Sequence, residues 1–211
     1  MLSQSMLVAL RPDAIAAQSA PAPRLRLHPV GSVRRAEIEA FIAAVYRERY
    51  GAELRHFAPM LLSLHDEQGN CVAAAGYRAA DSGPLFLERY LSGAVESLLP
   101  TPACRWPLRR RIVEVGHLAA VRAGEGRRLI LLLGPHLAGQ GFEWVVSTLT
   151  QELRNLFVRM GVAPLALDVA DPAVLGDDAA QWGSYYDHRP LVLAGRLDAA
   201  LQTLARRSAR A

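Results

Sequence analysis

Cysteine is scarce in this sequence: Cys71 and Cys104 are the only two among 211 residues. Neither sits in a CxxC pair or at metal-ligand spacing, which excludes a zinc ribbon and a thioredoxin-like redox motif. A disulfide between them is formally open, but a chain this long can fill one hydrophobic core without a staple. Long apolar runs are missing too. No stretch reaches the roughly 18 residues that a membrane-spanning helix needs. No Ser-His-Asp or Cys-His arrangement can be read, and Arg105 beside Cys104 is the only hint of an activated thiol. No spacing of His, Asp and Glu suggests a metal.

A strong excess of one charge is missing as well. The 24 basic residues, which are arginines, stand against 20 acidic ones and leave a net +4. That mild excess tolerates an anionic partner without naming one. Six of the arginines, Arg109, Arg110, Arg111, Arg122, Arg127 and Arg128, crowd into one region without interleaved aromatics. With no DNA- or RNA-binding motif beside them, nucleic acid is a poor partner. Apolar residues make up 51% of the chain and charged ones 21%, an ordinary balance for a globular protein with a single core. Residues 1–23 imitate a signal peptide faintly, but Arg11, Pro12 and Asp13 interrupt the apolar part and the start lacks positive charge. They read as a flexible tail ahead of a single domain over 24–211, with the cytoplasm as the default location.

Along that domain, RLRLHPV alternates like a strand, and Ser32 then precedes a helix that Gly51 ends. PMLLSL and CVAAAGYR form a hairpin around the turn chemistry of Gln68, Gly69 and Asn70. PLFLERYLSGAVESLL reads as one or two short helices. RIVEVGHLAAV is a strand, and EGRRLILLLGPHLAGQG a helix that Pro135 kinks or splits. FEWVVSTLT, PLALDVA and PLVLAGRL are strands, QELRNLFVRMG a helix, and DPAVLGDDAAQW a loop with at most one helical turn. A final amphipathic helix follows. This order implies an α/β (α+β) domain with a mixed sheet of about seven strands, the hairpin antiparallel and strand–helix–strand units parallel.

Within that frame, Glu114 falls in the middle of an apolar strand. A carboxylate there loses hydration, its pKa rises, and it becomes a fitting general base for an ammonium. The plainer reading pairs it with Arg78, which otherwise would contact a substrate. Alternation places Gly116 and Leu118 on the face of Glu114 and His117 on the other, unless a bulge near Gly116 turns the strand. His117 otherwise packs as a satisfied core histidine. Gly124 and Gly126, opening a helix with Arg127 and Arg128, let a phosphate approach backbone amides.

The runs VYRERYGAELRHFAPMLLSL, GPLFLERYL, RIVEVGHLAAV, GFEWVVSTLTQELRNLFVRMG and WGSYYDHRPLVLAG resemble the bacterial thermostable hemolysin family, over roughly residues 25–196. That family is in turn similar to a distant branch of the GNAT-fold N-acyltransferases, nearest to acyl-homoserine-lactone synthases. Those enzymes carry Glu-x-(Ser/Thr)-Arg on the fourth strand, where this chain has Glu114-Val115-Gly116-His117, so only the glutamate matches. The phosphate-binding signature is also partial, with Val121 where Gln or Arg belongs and Arg122 one place late.

The resemblance implies an acyltransferase acting on a thioester of coenzyme A or of acyl-phosphopantetheine on an acyl carrier protein, with a small amine as acceptor and no permanently bound cofactor. It implies Glu114 as base, and Tyr185 or Tyr186 as the acid that protonates the departing thiolate. It assigns the main chain of Gly116, His117, Leu118 and Ala119, with Arg122, Gly124, Gly126 and Arg127, to the donor. Arg47, Tyr50, Arg78 and Trp182 fall to the acceptor. Two rivals stand beside it. One is a membrane-active protein whose C-terminal LDAALQTLARRSARA lies on a bilayer surface. The other is a relative that binds acyl thioesters without turning them over.

Overall fold

The computed structural model describes residues 25–100 and 106–209; the expected N-terminal tail, Cys104 and Arg105 lie outside the described residues. Seven strands, β1 (Arg26–Pro29), β2 (Met60–His65), β3 (Cys71–Ala79), β4 (Ile112–Ala120), β5 (Trp144–Leu149), β6 (Leu165–Val169) and β7 (Leu191–Arg196), make one mixed sheet. Their order is β1-β2-β3-β4-β5-β7-β6. Only β4 and β5 run parallel. The second strand–helix–strand unit does not give a parallel pair, because β7 inserts between β5 and β6 and runs antiparallel to both.

Helix α1 (Arg35–Tyr50) buries Ile38, Ile42, Tyr46 and Tyr50, a spacing of four that puts one stripe against the sheet. Gly51 ends it in the left-handed region, φ 66°, with its amide donating to the Arg47 carbonyl at 2.8 Å. Ser32 contributes its carbonyl rather than its side chain, accepting from the Arg35 amide at 3.1 Å. On the other face lies α3 (Ala123–Gly139), which continues through Pro135. A proline inside a helix costs about 3 kcal/mol. Burying Leu129, Leu133 and Leu137 on the sheet contributes roughly 1.5–3 kcal/mol each and outweighs it.

The hairpin of β2 and β3 forms as expected, its turn holding Gly69 at φ 85°. The short helices before β4 are a 3-10 turn over Phe86–Tyr90 and the single turn α2 (Val95–Leu98). Helix α4 (Gln151–Arg159) begins at Thr150, whose hydroxyl accepts from the Leu153 amide. The stretch expected to be a loop is instead 3-10 helical from Pro172 to His188, broken at Gly176 and Gly183.

Sequence alternation through β4 reverses part-way. Val113 and Val115 pack toward α3, whereas Ala119 packs with α1. In an unbroken strand all three would share a face. The reversal comes from a bulge: Ala74 pairs with Ala119 and Gly76 with Gly116, so Ala75 alone faces His117 and Leu118. His117 takes up the extra length in the left-handed region at φ 53°. The bulge expected at Gly116 is therefore one residue later, on a side chain that is not glycine. Leu118 turns to the α3 face, opposite to the face that simple alternation assigns it.

Candidate active site

Beside the bulge, β4 and β5 come apart. Their pairing runs from Ile112 opposite Trp144 to Glu114 opposite Val146 and stops there. Both strands go on, β4 held by β3 as far as Ala120 and β5 held by β7 as far as Leu149. Main-chain groups beyond the fork must find partners outside the ladder. The Ser147 hydroxyl donates to the Val115 carbonyl at 2.6 Å, and the Tyr185 hydroxyl to the Thr148 carbonyl at 3.2 Å.

A cavity of about 1090 Å³ opens over this fork. Its wall brings together Glu114, Gly116, His117, Arg78, Trp182, Tyr185 and Tyr186, seven residues singled out from the sequence. Arg78 stands directly opposite Glu114 in the β3–β4 register, which puts the two side chains on one face. They do not form an ion pair. The Glu114 carboxylate accepts from the Phe86 amide on one oxygen and the Leu87 amide on the other, both at 2.9 Å. An Arg78 Nη donates to the Pro84 carbonyl at 3.2 Å. Burial pushes the Glu114 pKa up, and this outweighs the opposing pull of the two amides and of Arg78.

The bulge carries His117 round to the cavity, where its Nε2–H donates to the His56 carbonyl at 3.1 Å. That bond leaves Nδ1 as the bare nitrogen, and Nδ1 is buried without a partner. Burial pushes the His117 pKa down to about 4, so the ring is neutral at physiological pH. It is packed, as the plain reading expects, but only half satisfied. Gly76 makes room for it: a Cβ there would lie 2.8 Å from the Ala58 Cβ and 3.1 Å from His117 Nδ1.

Three further groups hold the walls. Arg35 donates to the carbonyls of His28, Ala58 and Pro59 and pairs with Glu39, tying down the segment that includes His56 and Phe57. Glu88 accepts from the Leu85 and Val95 amides and pairs with Arg109, which also reaches Glu96. The WGSYYD segment is pinned to the end of α1. Glu53 donates its amide to the Gln181 carbonyl at 2.7 Å, and Ser184 its hydroxyl to the Tyr50 carbonyl at 3.2 Å. Gly183 passes so close that a Cβ on it would collide with that Tyr50 carbonyl.

The two tyrosines of that segment differ. Tyr185 is 6% exposed in a ring cluster with Tyr46, Tyr50 and Trp182. Its proton is engaged with Thr148, and burial pushes its pKa well up. Tyr186 is half-buried, and its hydroxyl lies 2.6 Å from that of Tyr90.

The remaining candidates are elsewhere. Arg47 is exposed on α1 and does not line the cavity, and Tyr50 is buried in the ring cluster rather than facing the cavity. Leu118 and Ala119 lie past the bulge in the two cores. Arg122, Gly124, Gly126 and Arg127 begin α3, also outside the cavity. There the Glu125 and Gly126 amides already donate to the Arg122 carbonyl. Of the six clustered arginines, Arg109 and Arg111 are committed to acidic partners and Arg128 lies 3.6 Å from Glu125. Tyr90, Phe86 and Ser147 were not singled out from the sequence. They sit in two of the runs that carry the family resemblance, GPLFLERYL and GFEWVVSTLTQELRNLFVRMG, but what marks them individually is tertiary.

Residues 28–201 match the family described as thermostable hemolysin. The chain belongs to that family. No curated protein matches the sequence. Among solved structures, it is similar to the AHL synthase LasI, with a TM-score of 0.59 at 12% identity over 86% of this chain and 93% of that one. It is similar to BjaI, a CoA-dependent acyl-homoserine lactone synthase solved with SAM and isopentyl-CoA, at 0.57 and 13% over 88% and 89%. FeeM, an N-acyl amino acid synthase from uncultured soil microbes, gives 0.57 and 10% over 85% and 98%. At such identities the likeness is one of fold, and the fold is that of the GNAT-like acyltransferases.

Proposed function

We propose that this family member is an acyltransferase that moves an acyl group from a pantetheine thioester, on coenzyme A or an acyl carrier protein, to a small amine. The observation that carries this reading is the fork between β4 and β5, which opens directly beneath a cavity walled by Glu114. A fork of two parallel strands leaves main chain outside the ladder, where an extended, amide-bearing arm can bind by adding itself to the sheet edge. The shared fold with LasI, BjaI and FeeM supports the same reading.

In this mechanism the amine nitrogen attacks the thioester carbonyl while Glu114 takes its proton. The raised pKa suits Glu114 to that role, since a base near the operating pH combines availability with driving force. Main-chain N–H groups of β4 around the bulge hold the oxyanion. The C–S bond then breaks, its electron pair leaves with sulfur, and Tyr186 supplies a proton to the thiolate. Tyr185 has its proton on Thr148 and fills the role of a wall.

The membrane-active reading loses its best feature, because the apolar side of α5 (Leu197–Ser208) is in use. Leu197 is buried and Leu201 packs beside Gly134 of α3. Among the described residues no helix is long and apolar enough to cross a membrane.

Glu114→Gln provides the test. Mass spectrometry of lipid extracts from cells with and without the gene identifies the N-acylated product, and the variant should lower its rate of formation about 100- to 10,000-fold. In the wild type the rate should rise with pH through a pKa above the ordinary glutamate value, because only the ionised carboxylate accepts the proton. That limb should vanish in the variant. The substitution also turns an amide NH2 toward Phe86 or Leu87, so stability should fall by about 1–3 kcal/mol. Full turnover by Glu114→Gln would remove Glu114 from the chemistry, and donor binding without any product would favour a non-catalytic binder.

A further inference from the structure

We propose that Tyr90, at the end of the Phe86–Tyr90 turn, is a positioning residue that makes Tyr186 the acid of the reaction by donating its hydrogen bond to the Tyr186 hydroxyl. The inference rests on the acyl-transfer reading and concerns how that reaction ends.

Two hydroxyls 2.6 Å apart hold two protons, and only one of them can lie between the oxygens. Neither hydroxyl has another hydrogen-bond partner among the described residues. One proton of the pair is therefore left to point elsewhere, and both side chains line the cavity. Which proton is spare depends on which tyrosine donates. Tyr90 is the more buried member, 7% exposed, while Tyr186 is half-buried. The charge of Arg89 favours a phenolate at either tyrosine, whereas the Glu114 carboxylate disfavours one at Tyr90 alone. Tyr90 thus keeps its proton and donates it, which leaves the Tyr186 proton free to face a ligand. Within the pair the bond favours ionisation of Tyr186 and disfavours that of Tyr90, the asymmetry an acid and its support require.

The step balances without an added reagent. As the tetrahedral adduct collapses, the C–S electron pair goes to sulfur and the Tyr186 proton follows it. The Tyr186 phenolate that remains is held by the short bond from Tyr90, and bonds to an ionised oxygen are the stronger ones. The proton that Glu114 took from the amine restores Tyr186, so the cycle ends with one proton moved from nitrogen to sulfur.

The leaving group tests this. Purified wild type, Tyr90→Phe, Tyr186→Phe and the double variant are each given octanoyl-pantetheine and the octanoyl para-nitrothiophenyl thioester. Hydroxylamine serves as the amine, and the uncatalysed rate is subtracted. An alkyl thiolate needs a proton to leave, whereas para-nitrothiophenolate does not. With octanoyl-pantetheine, Tyr186→Phe should lose about 100-fold and Tyr90→Phe about 10-fold, with no further loss in the double variant. With the aryl thioester all four proteins should agree within about 2-fold. Equal losses on both thioesters would assign Tyr90 a merely structural role and overturn the inference, as would a Tyr90→Phe protein that matches wild type on both. A wild-type protein inactive on both thioesters would bring down the acyl-transfer reading itself, an outcome separate from failure of Tyr90 alone.

Discussion

The two sides of the bulge in β4 lead to opposite kinds of surface. Up to the bulge, each polar group is held: Glu114 by two amides, the Val115 carbonyl by Ser147, and Arg78 by Pro84 on the facing strand. Past the bulge the chain runs into exposed Arg122, Ala123 and Gly124 and then the exposed Arg127 and Arg128. The first half has the rigidity that positions reacting atoms, where small displacements are costly. The second offers exposed cations at the start of a helix, a surface suited to attracting an anion rather than orienting it. On the proposed reading, chemistry lies before the bulge at His117 and capture beyond the end of β4, at the start of α3.

The sharpest way to break the held half is through Gly183, where the WGSYYD segment crosses the end of α1. Its φ is 52°, and a Cβ would meet the Tyr50 carbonyl. Gly183→Ala combines a left-handed alanine with a backbone collision and should destabilise the fold by roughly 3 kcal/mol. A denaturant titration gives the value directly. Since Tyr185 and Tyr186 follow within three residues, turnover should fall as well. An unchanged midpoint would mean that the segment docks on α1 less tightly than its hydrogen bonds to Tyr50 and Glu53 indicate.

The sequence made Glu114 conspicuous because a carboxylate within IVEVG breaks an apolar pattern. It made WGSYYD conspicuous by its density of aromatics. Both line the cavity. The partners of Glu114 were not legible, because they are backbone amides of a turn 27 and 28 residues away, and amides carry no sequence signature. Arg78 was the visible candidate and proved to be a neighbour rather than a partner. The parity reversal of β4 was hidden for a related reason. Any residue can stand in a strand, so a left-handed histidine leaves no mark on the hydrophobic pattern until Ala119 is seen on the wrong face. Helix α3 teaches the converse: Pro135 is a loud local signal, and three buried leucines override it.

Arg78 permits a finer cut within the held half. Among the described residues its guanidinium bonds only to the Pro84 carbonyl, and it stands beside Glu114. An acceptor carrying an anionic group next to its amine would place that group there. Arg78→Ala should raise the acceptor KM about 10-fold for such an amine with a smaller effect on kcat, because the contact exists in the bound state as well as in the transition state. Uncharged amines should be indifferent to the change. An equal loss for charged and uncharged amines would instead assign Arg78 to shaping Glu114, whose burial-raised pKa its charge partly offsets.

The capture half should respond more gently and through salt. Arg122 and Arg127 are exposed, and neither has an ion-pair partner among the described residues. Exposed charges act over a Debye length of about 8 Å at physiological ionic strength, so their attraction for a phosphate-bearing donor is partly screened. Replacing both by alanine should raise the donor KM by about 3- to 10-fold at low salt, with little change in kcat and a difference that shrinks at high salt. Arg110, just before β4, and Arg159, at the end of α4, are both exposed and outside the cavity wall, and replacing this pair by alanine serves as the control that lowers net charge equally. If that control weakens the donor as much as the double change, the attraction belongs to overall charge. A loss confined to Arg122 and Arg127 would locate the donor at the start of α3.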